Sequence, residues 1–288
     1  MCHNHSMRFL KTRAYAKLNL SLEAGVRRDD GFHPLSSIFT KISLHDTLYF
    51  CFHSFGKQRI KVLMDGKEAD ASNTMRKAVL LYRDRFCPEL SVTIRCRKRI
   101  PAGGGLGGGS SDAAVVLETL NRVYKKTDSR LLSEAAAEIG SDVPFFLCKS
   151  AAYVSGRGEI VRPIAKRSAT YGVLILPDCF SSTAEAYRLL DESGGAKSVF
   201  RDPENEIEDF YKPLRAWQYE NVFLPVLEKS SSEIAAAAEA LRRAEPPYWN
   251  LSGSGSSLYA LFEKKSERNR FYRKFNKKNI AKTNFFLV

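Results

Sequence analysis

The sequence predicts a two-domain α+β protein, and three observations carry the prediction. Strand-like and helix-like stretches are mixed along the chain without the regular alternation of a doubly wound or barrel fold. The 288 residues, 44% apolar and 27% charged, have average globular composition, and a length near 300 corresponds to about two domains. A run of six glycines within seven residues, Gly103 to Gly109, separates a strand pattern from a helix pattern.

Residues 13–22 alternate, with Ala14, Ala16, Leu18, Leu20 and Leu22 on one face, and predict a strand. A turn is expected at Asp29-Asp30-Gly31, and 36–52 reads as strand-rich. Residues 73–86 carry Met75, Val79, Leu80 and Phe86 at helical spacing. Leu90 to Ile100 alternates apolar residues with Ser91, Thr93, Arg95, Arg97 and Arg99, a strand with one basic face. After the glycines, a helix is expected over 111–124, capped by Ser110 or Ser111, then a second near 131–139 and a third starting near Asp142 and Pro144. The chain turns polar at 166–171, which places the boundary between an N-terminal domain 1–168 and a C-terminal domain 169–288. The second half reads as strand 173–176, helix 184–190, helical segments 205–217, 221–228 and 231–244, strand 258–262, a basic helix 266–276 and a last strand 284–288.

Lys and Arg number 45 against 32 Asp and Glu, a net charge of +13. That excess favours anionic partners (nucleotides, phosphorylated metabolites, nucleic acid, acidic lipid) without choosing among them. The six cysteines show no C-x-x-C spacing, so neither a zinc site nor a redox motif is indicated. Scattered thiols in a reducing compartment are expected. Cys2-His3-Asn4-His5 could hold a stray metal, but a frayed terminus is the simpler reading. No apolar run approaches a membrane span and the first 20 residues lack a signal-peptide core, so a cytoplasmic location with no membrane partner is expected.

Pro101, Ala102, Gly103, Gly104, Gly105, Leu106, Gly107, Gly108, Gly109, Ser110 and Ser111 form one continuous candidate site. Glycines let backbone N–H groups converge and let a ligand approach the main chain, and the following helix start adds free donors and a positive dipole end. The site therefore suits phosphate oxygens. A P-loop requires Gly-Lys-Ser/Thr, but Gly109 is followed by Ser110. A dinucleotide fingerprint requires a second strand ending in an acidic residue, whereas here another helix follows. A nucleoside triphosphate in a different loop geometry remains.

The stretch Pro101–Ser111 resembles the phosphate-binding motif of the GHMP kinase superfamily. Three further stretches resemble its other motifs in order: Ala16-Lys17-Leu18-Asn19-Leu20, Gly140-Ser141-Asp142-Val143-Pro144 and Leu251-Ser252-Gly253-Ser254-Gly255. Gly31-Phe32-His33 and Gly156-x-Gly158-Glu159 are similar to motifs of the kinases acting on 4-diphosphocytidyl-2-C-methyl-D-erythritol. Tyr15 stands where that family often has proline, Phe32 where tyrosine is usual, and Pro34 follows the histidine. The resemblance implies a ribosomal-protein-like N-terminal domain and a ferredoxin-like C-terminal domain. It also implies transfer of phosphate from ATP, with Mg²⁺, to the 2-hydroxyl of the diphosphocytidyl substrate.

It implies residue roles as well. Asp142 would be the general base, although by itself it could equally cap a helix. Lys17 would be its electrostatic partner, although a lysine in an apolar strand often only reaches for solvent. Asn19 would orient substrate. Phe32 and His33 would read the cytosine, with Tyr187 as a second stacking ring and Thr183 as a substrate-contacting hydroxyl. Asn73, otherwise a helix cap, and Lys98 would lie on the nucleotide side. Gly253 and Ser254 would lie close to the substrate phosphates. The ligands of a metal are not readable. Another small alcohol as substrate is one alternative, and a basic nucleic-acid-binding protein is one of a different class. A nucleic-acid partner is not expected: mere binding needs no carboxylate such as Asp142 beside Lys17 and the glycine loop, and in the basic tail 264–282 Phe271, Tyr272 and Phe275 fit a helix core face.

Overall fold

A computed structural model describes residues 8–53, 59–167, 169–275 and 280–288. The segment Cys2-His3-Asn4-His5, the boundary residue Ser168 and the tail lysines Lys277 and Lys278 lie outside the described residues. Two compact units interleave along the chain. The first comprises 1–16, 44–100 and 107–147, and the second 17–43, 101–106 and 148–288.

Two long strands contribute to both units. They are β1 (Arg8–Asn19) and β3 (Leu35–Phe52), with the short β2 (Glu23–Ala24) between them. In the first unit, the second half of β3 pairs antiparallel with β6 (Val92–Arg97), Thr47 opposite Arg97 and Phe52 opposite Val92. Strand β4 (Ile60–Met64) lies parallel to β6 and carries the two-residue β5 (Lys67–Glu68) on its far side. Parallel strands need a crossover, and here it is α1 (Thr74–Phe86). Helices α2 (Gly108–Tyr124), α3 (Ser129–Ile139) and the single turn α4 (Val143–Phe146) complete this unit. The alternation along β6 is as expected: Val92, Ile94 and Cys96 are buried, while Arg95 and Arg97 are exposed.

In the second unit, the first half of β3 pairs antiparallel with β7 (Ala151–Gly156), which pairs with β8 (Ile160–Ile164). A second sheet contains β9 (Tyr171–Pro177), β10 (Tyr248–Leu251), β11 (Leu258–Phe262) and β12 (Ile280–Phe286) in the order β10-β11-β9-β12, all antiparallel. Helices α5 (Thr183–Ser193), α6 (Pro203–Tyr211), α7 (Phe223–Ser230) and α8 (Ser232–Ala244) join β9 to β10, and α9 (Lys265–Lys274) joins β11 to β12. With extra helices in the first crossover, this is the strand order and connection pattern of the ferredoxin-like domain.

Several expectations are corrected. Helix α2 begins at Gly108, not 111, and its cap is Gly107 in the left-handed region, so Ser110 and Ser111 lie within its first turn. The segment expected as helix 205–217 breaks after Tyr211, where Pro213 cannot continue the ladder. Strands β4, β7, β8 and β10 were not anticipated. Ala151 and Ala152 are poor strand formers, and their burial against β3 decides the matter.

Phe285 lies opposite Gly172 in the β9–β12 pair and is 1% exposed. Its ring fills the space that a residue with a side chain would occupy at 172. Phe285→Ala is expected to lose about 3–5 kcal/mol of stability, read from the urea midpoint. An unchanged midpoint would contradict this account of the sheet.

Candidate active site

In the second unit, the buried end of β1 and the first half of the glycine run come together. Lys17 and Asn19 are 4% and 2% exposed, on one face of β1. The Lys17 ammonium donates to Asn19 Oδ1 and lies 4.5 Å from the centre of the Phe39 ring. Asn19 Nδ2 donates in turn to Ser37 Oγ at 3.0 Å. This lysine does not reach for solvent. A buried ammonium is costly unless held by oxygens and charge, so its placement points to a role for the charge.

The Lys17 N–H donates to Leu106 O at 3.0 Å, and Ser252 Oγ donates to Gly105 O at 3.0 Å. Gly105 has φ +70°, and a Cβ there would meet Ser252 O at 2.0 Å. Only glycine fits. Gly253 faces it, with a Cβ position 3.2 Å from Gly105 O and 3.4 Å from Asn19 Oδ1. The close approach that the C-terminal glycine motif permits is thus that of the glycine run's own backbone. Ser254 adjoins α5: its Oγ is 3.0 Å from Thr183 Oγ1, and its carbonyl accepts from Ser181 Oγ at 2.6 Å.

A ring cluster lies in the same unit. His33 stacks on Tyr187, centroids 4.7 Å apart and planes 26° apart, so no base fits between these two rings. His33 Nδ1 is 2.8 Å from Gly25 O. A carbonyl can only accept, so Nδ1 carries the hydrogen, and Nε2 faces Asp191 Oδ2 at 3.4 Å. Tyr187 is backed edge-on by Phe223 at 4.9 Å. Phe32 does not join this stack. It is 50% exposed, with the Arg157 guanidinium 4.9 Å over its ring.

In the first unit, the second half of the glycine run becomes the start of α2. Gly107, at φ +68°, turns the chain into the helix, leaving the first-turn N–H groups unpaired within it. Thr74 Oγ1, at the start of α1, donates to Gly109 O at 2.7 Å, which joins two helix N-termini. Both dipoles favour an anion. Ser111 Oγ donates to Tyr15 O at 2.7 Å and is spent on structure, while Ser110 is half-buried. Asn73 caps α1, accepting from the N–H groups of Met75 and Arg76 at 3.0 and 3.3 Å.

Lys98 bridges two buried carboxylates. It binds Asp46 Oδ2 and, at 2.7 Å, Asp112 Oδ2 in the first turn of α2. Asp46 Oδ1 accepts from the N–H groups of Arg99 and, at 2.9 Å, Ile100. One ammonium cannot neutralise two carboxylates. Burial raises the Asp112 carboxyl to about 7, against the lowering pull of Lys98. Desolvation alone would lower Lys98, but Asp112 and Asp46 hold it above the ordinary lysine value. Asp142, also in this unit, occupies the cap position of α4, yet its side chain makes no capping hydrogen bond and is half-buried. Capping does not account for this carboxylate.

Sequence reasoning missed Asp46, Asp112, Ser37 and Asp191, and named Ser252 only within the C-terminal glycine motif. The readable signal was a carboxylate inside an apolar pattern, at Asp46 among strand residues and at Asp112 ahead of Ala113 and Ala114. Among the described residues, no group of three or more His, Cys, Asp or Glu is arranged to hold a metal. Cys51, Cys87, Cys96, Cys148 and Cys179 are free, and no helix among the described residues is long and apolar enough to cross a membrane.

Comparison with known proteins agrees with this geometry. The N-terminal domain model of the GHMP kinases matches residues 73–150, and the C-terminal model matches 203–281. The chain is 36% identical over 265 residues to the 4-diphosphocytidyl-2-C-methyl-D-erythritol kinase of Thermodesulfovibrio yellowstonii, covering 90% of this chain and 91% of that one. It is 33% identical over 280 residues to the kinase of the same name from Treponema pallidum, covering 93% and 94%. Among solved structures, a 4-(cytidine 5'-diphospho)-2C-methyl-D-erythritol kinase superposes with TM-score 0.80 at 28% identity, over 96% of this chain and 99% of that one. The homoserine kinase of Cytophaga hutchinsonii superposes with TM-score 0.67 at 16% identity, over 100% and 97%, and shares the fold.

Lys98→Met strands two buried carboxylates and is expected to destabilise by about 3–5 kcal/mol, with the larger loss at pH 8 than at pH 5. The Asp112 carboxyl is raised on folding, so its contribution is full below its unfolded value near 3.8 and fades as pH rises to about 7. Asp112→Asn is therefore expected to flatten the fall in urea midpoint over that window. A profile as steep as the parent's would rule out Asp112 as its source.

Proposed function

The chain belongs to the 4-diphosphocytidyl-2-C-methyl-D-erythritol kinase family of the GHMP kinases, and from that premise we propose how its residues carry out the reaction. It is an ATP-dependent phosphotransferase of non-mevalonate isoprenoid precursor synthesis. The observation that carries the mechanistic reading is the glycine run, with its backbone fixed and opening directly onto the α2 N-terminus.

In this reading, the N–H groups of Gly107 to Ser111 hold the ATP phosphates, which need little covalent help beyond positioning and charge. The substrate 2-hydroxyl oxygen attacks the γ-phosphorus, the bond to the β,γ-bridging oxygen breaks, and ADP leaves. Asp142 accepts the hydroxyl proton. Lys17 supplies the cation that offsets charge developing on the attacking oxygen, and Asn19 fixes its direction. Phe32 offers an exposed ring for the cytosine and Tyr187 a second one. His33, with Nδ1 fixed on Gly25 O and Nε2 beside Asp191, is the imidazole read as recognising the cytosine. Thr183 and Ser254, hydrogen-bonded to one another, contact the substrate, while Gly253 packs on Gly105 and Asn19. Asn73 and Lys98 support the nucleotide side through the caps and ion pairs they make.

The residues fit a Mg²⁺ that arrives on the triphosphate rather than one caged by protein carboxylates. Ser110, in the first turn of α2, would contact it, and the ion would neutralise phosphate charge. The two family models match 73–150 and 203–281, and we place the boundary between the two family domains in the stretch that separates them. The free thiols and the absence of a spanning helix among the described residues support a cytoplasmic location.

ADP release with the diphosphocytidyl substrate, compared with mevalonate and homoserine, tests the assignment. Turnover is expected with the first alone, and no turnover of it would sink the reading. Asp142→Asn is expected to lower kcat by about 10²–10⁴ with ATP binding retained. A fully active variant would remove Asp142 as the base.

A further inference from the structure

The basic face of β6 carries none of the residues assigned a role above. In the first unit, β6 buries Ile94 and Cys96 on one side and exposes Arg95 and Arg97 on the other. Lys98, next along the chain, is turned inward to Asp46 and Asp112. The exposed side is an open sheet face bearing a groove of about 760 Å³. Its rows follow from the register. Tyr49, Arg95 and Leu63 align across β3, β6 and β4, and Cys51, Thr93 and Lys61 form the next row. Arg59, Arg97 and Asp65 also line the groove.

Two large aromatic side chains are left in water here, Phe9 at 67% and Tyr49 at 41% exposure. The Lys11 ammonium lies 5.6 Å from the centre of the Tyr49 ring. The basic tail presents the opposite arrangement. Arg268 is buried and donates to Phe285 O, while Phe271 packs on Phe262 and Phe275. Aromatic rings exposed among cations on a sheet are a stacking platform; aromatic rings folded into a core are not.

We propose that this face binds single-stranded nucleic acid, with Arg59, Lys61, Arg95 and Arg97 tracking the phosphates and Tyr49 and Phe9 stacking on bases. Charge chooses the occupant. A second copy would bring one arginine-rich face against another, which repels. A single strand supplies both the anions that the cations require and the flat rings that the aromatics require. None of the residues assigned to phosphoryl transfer lines the groove, although Asp65 on its lining accepts from the Lys98 N–H at 3.1 Å, so the binding is an added property of the enzyme.

The test is fluorescence polarisation of the full chain with a labelled 12-nucleotide oligouridylate across a salt series. Anionic phosphatidylserine vesicles serve as the second probe. Micromolar binding is expected, weakening with a log–log salt slope of about −3 for four phosphate contacts. The double variant R95E/R97E is expected to weaken binding more than tenfold, and Tyr49→Ala by about 5–100-fold, the loss of one stacked base. Both should keep the parent's urea midpoint and kinase turnover. Three results would overturn the proposal: no oligonucleotide binding by the parent, equal binding by the folded variants, or vesicle binding through this face without oligonucleotide binding.

Discussion

The fold around the site depends on holding a glycine-rich backbone still. Six glycines in seven residues lose more conformational freedom on ordering than any other stretch of that length would. Flexible donors cannot form a preorganised anion site, so the chain surrounds this stretch with fixed partners. In the second unit these are the Lys17 N–H and the Ser252 hydroxyl, bound to the carbonyls of Leu106 and Gly105. In the first unit they are Thr74, bound to Gly109 O, and Ser111, bound to Tyr15 O. The Asp46–Lys98–Asp112 bridge ties the residues entering the run to the helix leaving it. Three sequence motifs that look independent therefore share one physical task.

Much of this was legible beforehand, and the reasons are specific. The strand at 258–262 is legible as a short continuous apolar run, buried throughout, and the helix at 74–86 in part, since Met75 and Val79 are buried while Leu80 and Phe86 are half-buried. The glycine run was readable as a phosphate site because so much backbone freedom in one place has few other uses. Lys17 and Asp142 were readable mainly through resemblance, since spacing alone left each with an ordinary structural role. The structure removes part of that ambiguity: Lys17 is buried on Asn19, and Asp142 does not cap.

What could not be read shares a cause. The seating of β7 on β3, the His33–Tyr187 stack and the Asp46 bridge are made by partners far apart in sequence. Local pattern carries no information about which distant residue will arrive. The start of α2 was misplaced for a different reason. A glycine at positive φ can begin a helix without a side-chain cap, so Ser110 and Ser111 were read as caps when they lie in the first turn.

The central claim is that backbone packing at Gly105, rather than flexibility, makes the glycine run an ATP site. Calorimetric titration of ATP into Gly105→Ala tests it most directly, with far-ultraviolet dichroism confirming the fold. A methyl group at that position meets Ser252 O at 2.0 Å, so the account predicts a folded protein whose ATP affinity falls at least a hundredfold. ATP binding as tight as the parent's would contradict it.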